Sequence, residues 1–250
     1  MVQSVMYAER SAVSARPVLV PVADVCSGLL ELFAQISDGR CGQGRDHPVA
    51  AVLALAAAAT VAGMRGYTAI AGWVADVPAE IRRDLYSRTG GDTGVGPPSK
   101  TTIWWVLTGA DPDAVDIAVG AWLTRGLTAA VEAGRTHPAD GGGGPVLMQV
   151  RLDGKTLKGA VDARGNQMHL LAALLGQPGA TTVVAAQTEV GAKTNEVPKA
   201  TTVLDQIDLA DTVVTADALH TVKATAAYIH SRGGFYLLPV KQNRSTLFDA

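Results

Sequence analysis

Residues 146–159 read VLMQVRLDGKTLKG, and the reading of this stretch decides the fold. Met148, Val150 and Leu152 fall on one face and Gln149, Arg151 and Asp153 on the other. A period of two marks a strand with one buried face. The strand is expected to end at Asp153, which leaves a carboxylate at its tip. Immediately upstream, residues 134–145 read GRTHPADGGGGP, and consecutive glycines sustain neither helix nor strand. This stretch reads as a linker between two domains.

Downstream of the linker, at 146–250, strands are expected at Met168–Leu175 and Thr182–Val190, separated by a QPGA turn. Pro198 opens a helix with Ala200, Val203, Leu204 and Ile207 on one face. A short buried strand, Thr212–Ala216, follows. A helix over Thr221–Arg232 ends at Gly233-Gly234, and a last strand covers Phe235–Lys241. Pro239 favours an edge position for that strand, because proline cannot donate to a ladder. Three strands, then helix, strand, helix, strand is the order of a ribonuclease-H-like fold without its last helix. In that order the first and fourth strands are central neighbours, ending at Asp153 and Asp217.

Upstream, residues 26–133 read as helices behind a flexible segment at 1–25. Helical stretches are expected at Leu29–Gln35, in the uncharged run Pro48–Met64, at Thr68–Val77, from the N-cap Ser99 through Leu107, and from Asp111 to about Ala133. The fold class is therefore α+β: an all-α domain, then a mixed five-stranded sheet with helices. Short helices joined by tight turns suit a helix-turn-helix DNA reader or any other small helical domain. Lys100, Thr101 and Thr102 are groups suited to phosphate or base contact, and Trp104 and Trp105 are expected in the core. Pro48–Met64 is too short and too alanine-rich for a membrane span.

Composition narrows the classes further. The 250 residues are 48 % hydrophobic and 18 % charged, with a formal net charge of −2. A buried core is expected, and binding to nucleic acid through bulk charge alone is excluded. Cys26 and Cys41 are too few for a zinc cluster or a disulfide scaffold and fit a reducing cytosol. The N-terminal stretch lacks the apolar block of a signal peptide.

Asp153 and Asp217 at adjacent strand tips would make a hard-oxygen site suited to Mg2+ or Mn2+. A metal pair on such carboxylates activates an attacking water or 3′-hydroxyl and stabilises the leaving oxygen of a phosphodiester. Alternatively both aspartates are ordinary turn residues, since Asp-Gly is a common turn pair. A phosphate-binding loop ending in Gly154-Lys155-Thr156 fails because Gln149 stands where its first glycine belongs. His220 is either near a bound phosphate or an exposed cap residue.

Four motifs carry a resemblance: Asp153-Gly154-Lys155-Thr156-Leu157-Lys158-Gly159, Lys193-Thr194-Asn195-Glu196-Val197-Pro198, Thr215-Ala216-Asp217-Ala218-Leu219-His220, and Val240-Lys241-Gln242-Asn243. In this order they resemble the DDE transposases of bacterial insertion sequences, the ISAs-type branch most closely. Ile36-Ser37-Asp38-Gly39-Arg40, His47-Pro48, Ala62-Gly63-Met64-Arg65-Gly66-Tyr67 and Pro98-Ser99-Lys100-Thr101-Thr102 resemble that branch's transposase-associated N-terminal domain.

The resemblance implies metal-dependent DNA cleavage at element ends and strand transfer, in the bacterial cytoplasm and away from membranes. It makes Asp153 and Asp217 catalytic metal ligands for Mg2+ or Mn2+. Lys155, Lys158, His220, Lys241 and Asn243 become candidates for DNA contact, and Glu196 either caps its helix or joins the chemistry. The implied partners are element ends, target DNA, and a second copy or an intact transposase. The family's third carboxylate, a glutamate, lies beyond the last strand, where this chain offers only Asp249. The resemblance thus implies a C-terminally truncated copy that is inactive or nearly so. The alternative is a non-catalytic DNA-binding or dimerising remnant that inhibits the intact enzyme.

Overall fold

The computed structural model describes residues 22–40, 45–135, 147–161, 165–191 and 196–241. Cys41, the glycine run at 141–144, Lys193–Asn195, Asn243 and Asp249 lie outside the described residues. Six helices come first: α1 (Val22–Phe33), α2 (Val49–Val61), α3 (Tyr67–Ala75), α4 (Ala79–Arg88), α5 (Lys100–Gly109) and α6 (Pro112–Arg135). They are followed by β1 (Met148–Val161), β2 (Gln167–Gly176), β3 (Thr182–Val190), α7 (Glu196–Leu204), β4 (Thr212–Thr215), a 3₁₀ turn (Ala218–His220), α8 (Lys223–Ser231) and β5 (Phe235–Leu237).

α2 is apolar all round, and a helix of that kind belongs inside a bundle. Val49, Ala50, Ala51, Val52, Leu53, Leu55, Ala56 and Ala59 are all buried. The SDGR and HP motifs form a lock in front of it. Arg40 donates from Nε to Asp38 Oδ1 at 2.9 Å, and from Nη2 to Asp38 Oδ2 and to the His47 carbonyl, both at 2.7 Å. The Arg40 guanidinium holds the Asp38 carboxyl below its usual range. His47 Nδ1 lies 2.6 Å from the Tyr86 hydroxyl, which ties the approach to α2 onto α4.

α4 does not follow from the sequence pattern. Its residues AEIRRDLYSR bury only Tyr86, so no apolar stripe marks it. Glu80 in its first turn and Arg88 in its last complement the helix dipole. Ser99 caps α5 as expected, its Oγ accepting from Thr102 N at 3.1 Å. Trp104 and Trp105 depart from expectation: α5 turns Ile103 and Val106 inward, which leaves the two indoles 39 % and 56 % exposed and stacked edge to face.

The sheet order is β3-β2-β1-β4-β5, with β1-β2 and β2-β3 antiparallel and β1-β4 and β4-β5 parallel. The first and fourth strands are therefore neighbours at the centre. Val150, Leu152, Leu171, Ala173 and Val214 share a core with Ala200, Val203 and Leu204 of α7. β1 runs past Asp153 to Val161, much further than its alternation suggests, because Gly154–Thr156 pair with Leu171–His169. β5 is an edge strand that stops at Leu237, two residues before Pro239. The Pro239 carbonyl accepts from Thr221 Oγ1 at 2.7 Å instead of joining a ladder.

α6 belongs to two cores. Ala118 lies in the helical core with Ala114, Val115 and Val119 packed beside it, while Leu127 and Val131 pack into the sheet's core. Gln187 Nε2 on β3 donates to Asp116 Oδ1 at 2.8 Å. Residues Pro112–Glu132 of α6 are also long and apolar enough to cross a membrane by length and composition. That stretch instead carries Gly120, which lies directly against the backbone of β3.

Burial pushes the Asp116 carboxyl above its usual range. The folded state thus holds a proton that the unfolded chain has lost, so this group's contribution falls as pH rises from 3.8 through the raised value. Asp116→Asn keeps an oxygen for Gln187 and removes the buried charge. It should raise the thermal midpoint at pH 7 and have no such effect near pH 3, as measured by melts across that range.

Candidate active site on β1 and beyond β4

The parallel ladder pairs Met148 with Thr212, Val150 with Val214 and Arg151 with Thr215. The ladder ends at Arg151 and Thr215; Asp153 lies two residues beyond it on β1, and Asp217 lies two residues beyond it, past the end of β4. Val150, Leu152 and Val214 occupy the buried face, so alternation places the Asp153 carboxylate on the other face. Both aspartates are exposed. Asp153 and Gly154 lie within β1 and not in a turn. Asp217 is the N-cap of the 3₁₀ turn, its Oδ1 accepting from Leu219 N at 2.8 Å.

Lys155 and Lys158 follow on the same long strand and are exposed, as is Lys241 beyond β5. Thr156 Oγ1 lies 2.9 Å from His169 Nδ1 on the neighbouring strand. Lys100 and Thr101 are exposed at the start of α5, in the helical part of the chain. Thr102 is committed to the cap, its Oγ1 3.0 Å from Ser99 Oγ.

His220 departs from the expectation of an exposed cap residue. It is 1 % exposed, because the 3₁₀ turn folds it inward against the start of α7. From there it faces Glu196, Nε2 to Oε2 at 3.6 Å. Sequence reasoning missed this pairing because 24 positions separate two residues that only the βαβ crossover brings together. The signal available was the glycine at 154, whose missing side chain leaves room for the Glu196 carboxylate.

Asp153, within β1, and Asp217, just past β4, suit a hard cation in part. Two carboxylates, one with an oxygen already accepting from a backbone amide, match a magnesium-like ion that keeps several waters. Among the described residues no group of three or more His, Cys, Asp or Glu converges as a complete metal cage.

Residues 152–248 match the family described as "Transposase DDE domain", and residues 30–123 match the one described as "DDE_Tnp_1-associated". These matches support a DDE transposase. The DDE match begins one residue before Asp153, and the associated match ends inside α6. An "Uncharacterized protein in dhlA 3'region" of Xanthobacter autotrophicus is 29 % identical over 204 residues, 81 % of this chain and 61 % of that protein. A "Putative transposase YncI" of Escherichia coli O157:H7 is 33 % identical over 103 residues, 40 % of this chain and 26 % of that protein. "Putative protein YbfL" of Escherichia coli strain K12 is 30 % identical over 103 residues, again 40 % of this chain and 26 % of the relative. The chain thus spans less than two thirds of the length of these relatives. No solved structure matches it.

Proposed function

We propose that the chain is a transposase of a bacterial insertion sequence of the ISAs type, built on a ribonuclease-H-like sheet and acting on DNA in the cytoplasm. Asp153 and Asp217 would hold Mg2+ or Mn2+. The observation that supports this reading is the parallel pairing of β1 with β4, whose last pair, Arg151 and Thr215, lies two residues before Asp153 and Asp217. A bound divalent ion would activate the attacking hydroxyl and stabilise the leaving oxygen of a phosphodiester.

The chain's own groups do the positioning. Asp217 holds its carboxylate in place through the Leu219 amide. Lys155, two residues beyond Asp153 on the same strand, returns to the same face by alternation and offers a positive charge to a DNA phosphate. Lys158 and Lys241 extend that charge, and Lys100 and Thr101 at the start of α5 supply a second DNA contact in the helical part. With a net charge of only −2, DNA binding rests on these local contacts.

The test is a nicking assay on supercoiled DNA that carries the sequences flanking the gene. Weak nicking at those sequences is expected with Mg2+ or Mn2+ and none with chelator, because no third carboxylate joins Asp153 and Asp217 among the described residues. Cleavage that persists in chelator, or none at any divalent-ion concentration, would overturn the proposal.

A further inference from the structure

Behind Asp153 lies a contact that the cleavage reading does not use. A Cβ added to Gly154 would stand 2.4 Å from Glu196 Oε1 and 2.8 Å from Oε2, so the carboxylate of the first α7 residue rests directly on the β1 backbone. Gly154 alternates with Asp153, so the Glu196 contact is on the opposite face of the strand from the Asp153 carboxylate. The other end of the contact is His220, with Oε2 3.6 Å from its Nε2. His220 closes the 3₁₀ turn that Asp217 caps, and its Nδ1 has no hydrogen-bond partner among the described residues.

A buried imidazole with an unmet nitrogen is costly where an apolar side chain would pack. Its ion-pair partner in the described structure is Glu196, which stays 33 % exposed at its side chain. The geometry points to Glu196 and His220 as a positioning pair: Glu196 braces β1 one residue from Asp153 and, through His220, fixes the turn that aims Asp217. This rests on the assignment of Asp153 and Asp217 as metal ligands. Glu196 acts through those two residues and is not itself a ligand.

The test combines Mn2+ affinity, read by electron paramagnetic resonance, with hydrogen exchange at the Leu219 amide in the metal-free protein. Glu196→Gln and Gly154→Ala are the variants. The added methyl meets only the end of a flexible side chain, so it displaces Glu196 with little strain. Both variants are expected to weaken Mn2+ binding roughly 10- to 100-fold, the usual effect of groups that orient metal ligands. Both should also speed exchange at Leu219 while the urea midpoint holds.

Faster exchange with unchanged Mn2+ affinity would make the pair purely structural and overturn the proposal. Weaker affinity with unchanged exchange would make Glu196 a direct ligand and overturn it equally, as would no change in either. If the unmodified protein binds no Mn2+ while the variants still loosen Leu219, the brace stands and the metal reading fails.

Discussion

Gly120→Ala should destabilise the protein by roughly 3 kcal/mol, whereas Gly126→Ala, two turns along the same helix, should stabilise it by about 0.5–1 kcal/mol. A Cβ at position 120 would lie 2.1 Å from the Ala185 carbonyl oxygen and 2.9 Å from its carbon. Both are backbone atoms and have no rotamer to retreat into. Ala185 is the extra residue of a bulge: Ala173 pairs with Ala186 and Leu174 with Val184. The bulge presents the Ala185 carbonyl to α6, and a glycine is what lets the helix approach that closely.

To admit the methyl, α6 would have to lift off β3. That movement would strain the Gln187–Asp116 hydrogen bond and withdraw Leu127 and Val131 from the sheet's core. At Gly126 nothing lies within 4 Å, so alanine there gains helix propensity alone. Urea denaturation of the two variants reads the difference. A neutral Gly120→Ala would mean that α6 does not dock on the sheet. If docking links the two cores, the Gly120 variant should also separate one transition into two.

This contrast shows where sequence reading works and where it stops. Met148, Val150 and Leu152 announce a one-faced strand locally, and the succession of periods downstream places β1 beside β4, so that pairing of strands was legible. The extension of β1 to Val161 was not, because Gly154, Lys155 and Thr156 carry no alternation and are held by pairing with β2. α4 was hidden by its single buried side chain. The dual role of α6 was hidden because Val115, Val119, Trp122 and Leu123 read as one helical stripe, and no local pattern says that Leu127 and Val131 enter a second core. His220 misled for a related reason. A histidine just past a turn is usually solvated, and only its tertiary partner Glu196 accounts for its burial.

Asp153→Asn and Asp217→Asn should each reduce metal-dependent DNA cleavage by at least about 100-fold, since even groups that merely orient a metal ligand are worth roughly 10- to 100-fold. Neither should weaken the fold. Asp153 is exposed at the open face, and an asparagine at 217 keeps the Oδ1 that accepts from Leu219 N. In the metal-free protein both substitutions only replace an exposed charged carboxylate by a neutral amide of the same shape. The melting temperature should therefore hold while cleavage and Mn2+ affinity fall. Asp217→Ala separates the two duties of that side chain. It should lose cleavage like the asparagine variant and also lose the cap on the 3₁₀ turn, a cost of about 1 kcal/mol. Activity that falls together with stability in all three variants would mark these aspartates as structural. Cleavage that survives both asparagine substitutions would place the chemistry elsewhere. Loss of function in a protein that melts no earlier is the result that assigns the carboxylates to metal and phosphate.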